Sequence, residues 1–458
     1  MALLALFTYF TLVFFVGYFS IKKHMSSQDF IIGNRSLNFW LTALAAHASD
    51  MSSWLFLAYP AALYLSGFVQ VFTALGLILF MWLNWMLVAK PLRVQTENLE
   101  SQTLSTFFEK KLIDPKGYLR LFTALMSFVF YTIYIASGVY GIGFLTEYLF
   151  NIPFAIGCIL GLLIIVPYVF FGGFISLAWI DLFQGLFLLS VICLVPIYYF
   201  TTNPNIELNF QMSDKLSSGW LLFFGWGLGY FGQPHIVTKF MGIKNPESIK
   251  KSRLIGMSWM ILSLAAATLV GLMGSFLYKG SLEDPQTLFL KLVTGAFTPY
   301  LAYFMLCAVI AATINATSSQ LLVLASSITE DIYHKFFNQK ACSKTLLRVS
   351  RTSVVIVGVL SFLVAFFKIS SIYGLVLYAW SGLGASFGPL ILYCLYSKKP
   401  KLSVGWAGLL SGSISALIWP AIPFLKNLTA ESLLPSFVLS FIAMGITSWF
   451  ACLKMKNH

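Results

Sequence analysis

Apolar residues in this chain do not alternate with polar ones; they come in long runs separated by short polar loops. A run of about 20 such residues is long enough for a helix to cross a hydrocarbon core of roughly 30 Å with its backbone bonded internally. The runs predict spans near 2–20, 39–66, 69–89, 121–148, 153–173, 175–199, 218–243, 254–278, 295–328, 352–371, 373–396, 403–425 and 433–453. The expected fold class is therefore an all-α polytopic membrane protein of about thirteen transmembrane helices. The first run is expected to be a retained span and not a cleaved signal, because Lys22 and Lys23 follow it and no basic residue precedes it.

Composition strengthens this reading. The chain is 59% hydrophobic and 10% charged over 458 residues, against about a quarter charged in soluble domains. Of 29 Lys and Arg, the loops expected on one side of the bilayer hold 24, leaving only Lys215, Lys279, Lys291, Lys368 and Lys426 elsewhere. By the positive-inside rule this predicts an outside N-terminus and a cytoplasmic C-terminus in the cell membrane. It also accounts for the net charge of +13 without a nucleic-acid partner; the lipid bilayer is the expected surrounding. The longest polar stretch, about Arg93 to Arg120, is too short for a domain of its own, so function is expected within the membrane. Six cysteines show no CxxC or Cys/His spacing, so neither disulfides, a structural metal nor an organic cofactor is expected.

Two spans break the apolar pattern. The second carries Ala46-His47-Ala48-Ser49-Asp50-Met51-Ser52-Ser53 in mid-span, and the seventh carries Gly225, Gly227, Gly229 and Gly232 before Gln233-Pro234. Glycine weakens a helix and proline removes one of its hydrogen bonds, and such irregular backbone is tolerated in a bilayer only where it lines a cavity. Two interrupted helices, five spans apart, point to an inverted-repeat transporter with spans 2–6 and 7–11 as the repeats and a site between them. The expected division is 1–38 (first span and loop), 39–199 (first repeat), 218–396 (second repeat) and 403–453 (two further spans).

Several residues carry candidate chemistry. Asp50 is either an ion-site carboxylate or a structural acid paired across to a neighbour such as Arg35. An unwound backbone beside it would free carbonyls, at Ala48 and Met51 for instance, as hard oxygen ligands for a small cation. Trp226, Tyr230 and Pro234 are four apart and share one face if the helix persists, offering rings to the apolar part of a solute and polar tips to the rest. Ordinary packing is the competing reading for any one of these aromatics. Ala311–Gln320 reads AATINATSSQ, which is either a polar lining or a close-packing face. Asp181, after the Gly172-Gly173 pair, is either a gate or permeation-path residue or a satisfied helix-terminal acid.

Longer motifs carry a resemblance. LAAHASDMSSWLFLAYPAALYLSG (44–67), IYIASG (133–138), FGGFISLAWIDLFQ (171–184), WGLGYFGQPH (226–235), SSQLLVLASSITEDIY (318–333) and AWSGLGASFGP (379–389) resemble, in order, segments of the sodium:solute symporter family, and within it the sodium/proline symporters. The resemblance implies a leucine-transporter-like 5+5 inverted repeat and sodium-coupled uptake by alternating access. It implies a proline site at Tyr134, Trp226, Tyr230, Gln233 and Pro234, and sodium ligands at the carbonyls of Ala48, Met51 and Ala312, with Asp50 and Ser52 beside them. Two departures stand out. Asn315-Ala316 occupies the place of two adjacent hydroxyl residues, and His47 that of a small residue, which makes His47 a possible proton site. Asn315 is then the remaining side-chain ligand.

The expected function is import of a small amino acid, proline or a close analogue, driven by sodium. A proton-coupled or sodium-independent transporter of another small solute is the alternative. A transporter-like sensor would need an output domain, and none is expected after the last span. An enzyme is not expected: no span pairs a nucleophile with a base, and the five histidines form no ligand cluster.

Overall fold

The computed structural model describes residues 1–20, 25–206, 208, 216–428 and 431–456. Lys22, Lys23 and Lys215 lie outside the described residues. Helices dominate, and the only β pairing among the described residues is an isolated bridge between Leu37 and Ile243. Among the described residues, ten helices are long and apolar enough to cross a membrane. This is fewer than the expected thirteen because some crossings share one continuous helix and others are too broken to qualify.

The first crossing is α1 (Ala2–Ser20), whose Leu3, Phe7, Phe14 and Phe19 are exposed, as a lipid-facing helix requires. The short α2 (Ser27–Ile32) precedes the first broken span, α3 (Phe39–Ala48) and α4 (Ala58–Ser66). Then come α5 (Val71–Asn84), continued through a π-helical turn into α6 (Lys90–Asn98), α7 (Leu104–Leu112), α8 (Tyr118–Phe150) and α9 (Phe154–Thr202). Helix α9 contains two predicted spans, joined by a kink at Gly173. Its φ of 61° lies in the left-handed region that glycine enters freely, so the sharp bend sits where the Gly172-Gly173 pair predicts it.

The second broken span is α10 (Leu216–Gly227) and α11 (Pro234–Met241). It is followed by α12 (Ile249–Tyr278), α13 (Leu288–Ala296), α14 (Pro299–Ser327) with a π-helical extension Ile328–Phe337, α15 (Ser343–Phe366) and α16 (Ile372–Tyr396). The last elements are α17 (Leu402–Ile418), α18 (Pro423–Leu428) and α19 (Leu433–Lys456). Residues Met305–Leu322 of α14 are buried throughout, which places the polar decade 311–320 in the centre of the bundle.

The two broken spans run in opposite directions. Backbone bonds from Leu37 N to Gly242 O (3.1 Å) and from Lys244 N to Leu37 O (2.8 Å) join the start of α3 to the end of α11. Arg35 reinforces this junction: its guanidinium donates to the carbonyls of Met241, Thr96 and Ser101 and to Thr96 Oγ1. The suggested pairing of Arg35 with Asp50 is thus corrected; the charge is used up on backbone oxygens around helix ends. Asn34 and Arg35 both have positive φ, near 50°, costing about 1–2 kcal/mol each. That turn is what aims the guanidinium inward.

The same end of the bundle, which carries most of the basic loops, is sealed by a buried ionic cluster. Arg120 Nη1 reaches Glu109 (2.8 Å), its Nε reaches Asp331 (2.9 Å), and its Nη2 donates to the Glu330 carbonyl (2.7 Å). Thr103, Thr106 and Ser327 also donate to Asp331, satisfying the carboxylate that burial would otherwise penalise. Lys239 was grouped with the loop charges in the sequence, but it lies fully buried on α11.

Candidate functional site

The chain unwinds at both breaks, each time for a reason visible in the local sequence. Helix α3 ends at Ala48, and a 3-10 turn starts at Ser53 after Ser52 accepts from the Trp54 backbone N–H (3.3 Å). Among the described residues, the carbonyls of Ala48 and Met51 accept no backbone hydrogen bond. In the second break, Leu228–Gly232 is 3-10 and Gln233 is extended, with Pro234 at the first turn of α11. Tyr131 accepts the orphaned His235 N–H (2.8 Å). Gly232 has to be glycine: a Cβ there would lie 2.7 Å from the backbone of Leu383, Gly384 and Gly388 on α16.

Between the breaks lies a small cavity of about 20 Å³, lined by Asp50, Met51, Trp54, Leu77, Tyr134, Trp226, Tyr230, Val376 and Trp380. It is far below the roughly 300–1,000 Å³ of ordinary ligand pockets, so these walls stand closed and must part to admit a solute. Trp54 stacks on Tyr59 at 4.9 Å and meets Trp226 at 5.2 Å. Tyr230 meets Trp380 edge-on at 5.1 Å, and the Trp380 N–H donates to the Trp226 carbonyl (2.8 Å). Tyr230 also donates its hydroxyl to the Asp50 carboxylate, joining the two breaks by one bond. The Trp54 indole N–H is buried and has no partner. An acceptor on a bound solute would satisfy it.

An aromatic pair links this cavity to a vestibule at the end opposite the basic loops. The Trp226 N–H donates to Tyr373 OH (3.2 Å), and Tyr373 lines a wider vestibule of about 360 Å³ with Asp284, Gln286 and Gln70. Towards the basic end Pro234 lines a separate cavity of about 30 Å³ with Thr238, Ser127, Ser327 and Asp331, and Asp331 belongs to the Arg120 cluster.

The predicted substrate residues therefore divide. Tyr134, Trp226 and Tyr230 face one cavity, whereas Pro234 faces the next because the helix does not persist from 230 to 234. Gln233 is buried, its amide nitrogen donating to the Trp380 carbonyl (3.1 Å) and its oxygen unpartnered. Of the predicted cation residues, Asp50 and Met51 line the central cavity. Ala48 packs on the Gly185 side of α9. Ala312 and Asn315 are buried on α14, and neither end of the Asn315 amide has a partner. His47 points away from the cavity: its Nε2 accepts the Trp85 indole N–H (3.0 Å), and its ring covers Gly256 beside Trp259. Asp181 is buried and paired with Lys239 (3.0 Å). Trp54, Leu77, Val376 and Trp380 were not singled out from sequence; the tryptophans sit in the motifs 44–67 and 379–389, and nothing local marks the other two.

The sequence profile of the Sodium:solute symporter family matches residues 30–211 and 202–414. The chain belongs to the sodium:solute symporter family. It is a sodium-coupled solute symporter and not an enzyme. It is similar to the high-affinity proline transporter PutP of Bacillus subtilis (strain 168), at 37% identity over 94% of either chain. It is likewise similar to the osmoregulated proline transporter OpuE of the same organism, at 35% identity over 96% of this chain and 93% of the relative. A sodium/proline symporter of Staphylococcus aureus (strain COL) is 34% identical over 96% of this chain and 91% of its own. Among solved structures, a Na+-coupled sialic acid symporter in a substrate-bound outward-open state superposes with a TM-score of 0.79 at 16% identity, covering 97% of this chain and 96% of that one. Mhp1, a nucleobase-cation-symport-1 family transporter, gives 0.57 at 12% identity over 92% and 95%. These two matches establish the leucine-transporter-like fold of this multi-pass membrane protein.

Proposed function

We propose that this symporter imports proline, or a close analogue, together with sodium across the cell membrane, with its N-terminus outside and its basic end in the cytoplasm. The observation that carries the reading is the small aromatic cavity at the two breaks, bounded by Trp54, Trp226, Tyr230 and Trp380, with one indole N–H left unpaired. Its rings fit a compact apolar ring, and the free N–H with the hydroxyl of Tyr134 offers donors to a carboxylate. The names of the relatives similar to this chain agree with that chemistry.

Sodium in this reading takes the unbonded carbonyls of Ala48 and Met51, the Ala312 carbonyl and the Asn315 amide oxygen, with Asp50 and Ser52 beside it. Lack of a hydroxyl at Ala316 weakens that set without emptying it. Alternating access in this reading uses two closures: the Trp226–Tyr373 pair opens outward, and the basic end with its Arg120 cluster opens inward. The test is uptake of labelled proline into proteoliposomes under an imposed sodium gradient. Accumulation above equilibrium that collapses without sodium is expected. Uptake that follows a proton gradient and ignores sodium would overturn the coupling assignment, and no uptake of proline would overturn the substrate.

A further inference from the structure

We propose that Tyr59 is a positioning residue for substrate recognition: it holds the Trp54 indole in the orientation that presents its N–H to the solute, and is itself anchored by Thr268 of α12. The proposal rests on the reading above, in which that N–H meets the solute's carboxylate. Tyr59 is fully buried near the start of α4, five residues beyond Trp54. The two rings lie nearly parallel, 4.9 Å apart and 18° from coplanar. Trp54 lines the central cavity and Tyr59 does not, so any effect of Tyr59 on the solute passes through Trp54.

Stacking by itself leaves a ring free to turn, because the torsion that sets the plane of a Trp or Tyr ring is broad. The Tyr59 ring is fixed at its far end, where its hydroxyl lies 2.8 Å from Thr268 Oγ1. Thr268 gives its own proton to the Leu264 carbonyl (2.8 Å), so Tyr59 donates and Thr268 accepts. The spacing of the two helices is set one turn further along. A Cβ at Gly271 would lie 2.5 Å from the Leu63 Cβ and 3.0 Å from the Pro60 carbonyl oxygen, so a side chain there would force α12 away from α4 and stretch the Tyr59–Thr268 bond.

The cavity wall on this side is thus built in two layers, with Trp54 in front and Tyr59 behind it. Presetting a donor in its bound orientation removes the entropy cost of ordering it when the solute arrives. Because the anchor is on α12 and not on the broken span itself, the plane of Trp54 depends on where α4 stands against α12. A tyrosine that only filled space would act on stability, and its hydroxyl would have no bearing on the Trp54 N–H.

The test measures equilibrium binding of labelled proline to purified full-length protein at saturating sodium. Tyr59→Phe keeps the stacked ring and loses the anchor, so the dissociation constant should rise by about two- to tenfold, the equivalent of one hydrogen bond. In a Trp54→Phe background, where no N–H remains to be positioned, the same substitution should change nothing further. A wild-type dissociation constant in folded Tyr59→Phe protein overturns the proposal. So does an equal further loss in the Trp54→Phe background, which is what a general packing role would give. Should Tyr59→Phe fail to fold, Thr268→Val, which removes the acceptor, is read in its place against the same two outcomes. If Trp54→Phe alone binds proline as wild type does, the reading of the N–H falls instead, and the positioning role with it. Wild-type protein that does not bind proline removes the substrate reading, and the role with that.

Discussion

The hydroxyl of Tyr230 donates to the carboxylate of Asp50, although the two residues lie 180 positions apart and each sits on a stretch of chain that has left the helix. One hydrogen bond thus connects the wall of the solute cavity to the break expected to hold the cation. Tyr230→Phe should leave a buried carboxylate oxygen short of a donor, a loss of about 1–3 kcal/mol. Proline and sodium affinities should fall together. In a double-mutant cycle with Asp50→Asn, the two effects should be non-additive by roughly 0.5–3 kcal/mol. Additive losses would mean that the bond carries no coupling.

Trp226→Ala should weaken proline binding by about 10- to 100-fold, or roughly 1.4–2.8 kcal/mol. It removes ring contact with Trp54 and the N–H that holds Tyr373. Trp226→Phe keeps a ring but loses the N–H, so it should bind proline better than the alanine variant while exchanging with the outer vestibule faster than wild type. Equilibrium binding and ligand dissociation rates separate these effects. Wild-type affinity in Trp226→Ala would exclude this wall from the site.

Ala316→Ser restores a hydroxyl next to Asn315 at a position that is 1% exposed. One added hydrogen-bonding oxygen contributes about 0.5–1.5 kcal/mol, so the sodium half-saturation of uptake should fall by roughly two- to tenfold. No change would place the ion away from Asn315.

His47→Ala should act on stability and not on the coupling ion. It opens space beside Trp85, Trp259 and Gly256 and strands the Trp85 N–H, costing about 2–5 kcal/mol together. A lowered melting temperature with sodium-dependent uptake retained is the expected result. Loss of proton-driven uptake in this variant, at unchanged stability, would make His47 a proton carrier instead.

Much of this was legible in the sequence because the bilayer makes irregularity conspicuous. Asp50 among serines and the glycines before Pro234 marked the breaks, and Gly173 marked the kink in α9. What stayed hidden depends on contacts across the bundle. Trp380 reaches the cavity only because α16 packs on Gly232, and His47 finds Trp85 thirty-eight positions away. The four-residue spacing misled at Pro234, because a 3-10 turn advances about 120° per residue and an extended Gln233 resets the direction. Lys239 read as a loop charge because only tertiary packing reveals its acid. Arg35 offered a carboxylate partner by charge alone, while its donors were needed by open helix ends.

Those same helix ends have a mechanical consequence. Leu37 is laced to Gly242 and Lys244, and Arg35 is clamped onto Met241, so α3 and α11 cannot tilt independently at the basic end without tearing backbone bonds. The inner halves of both broken spans are thereby joined at that end, so a displacement of one is handed to the other. Whatever tilts either half therefore acts on one door.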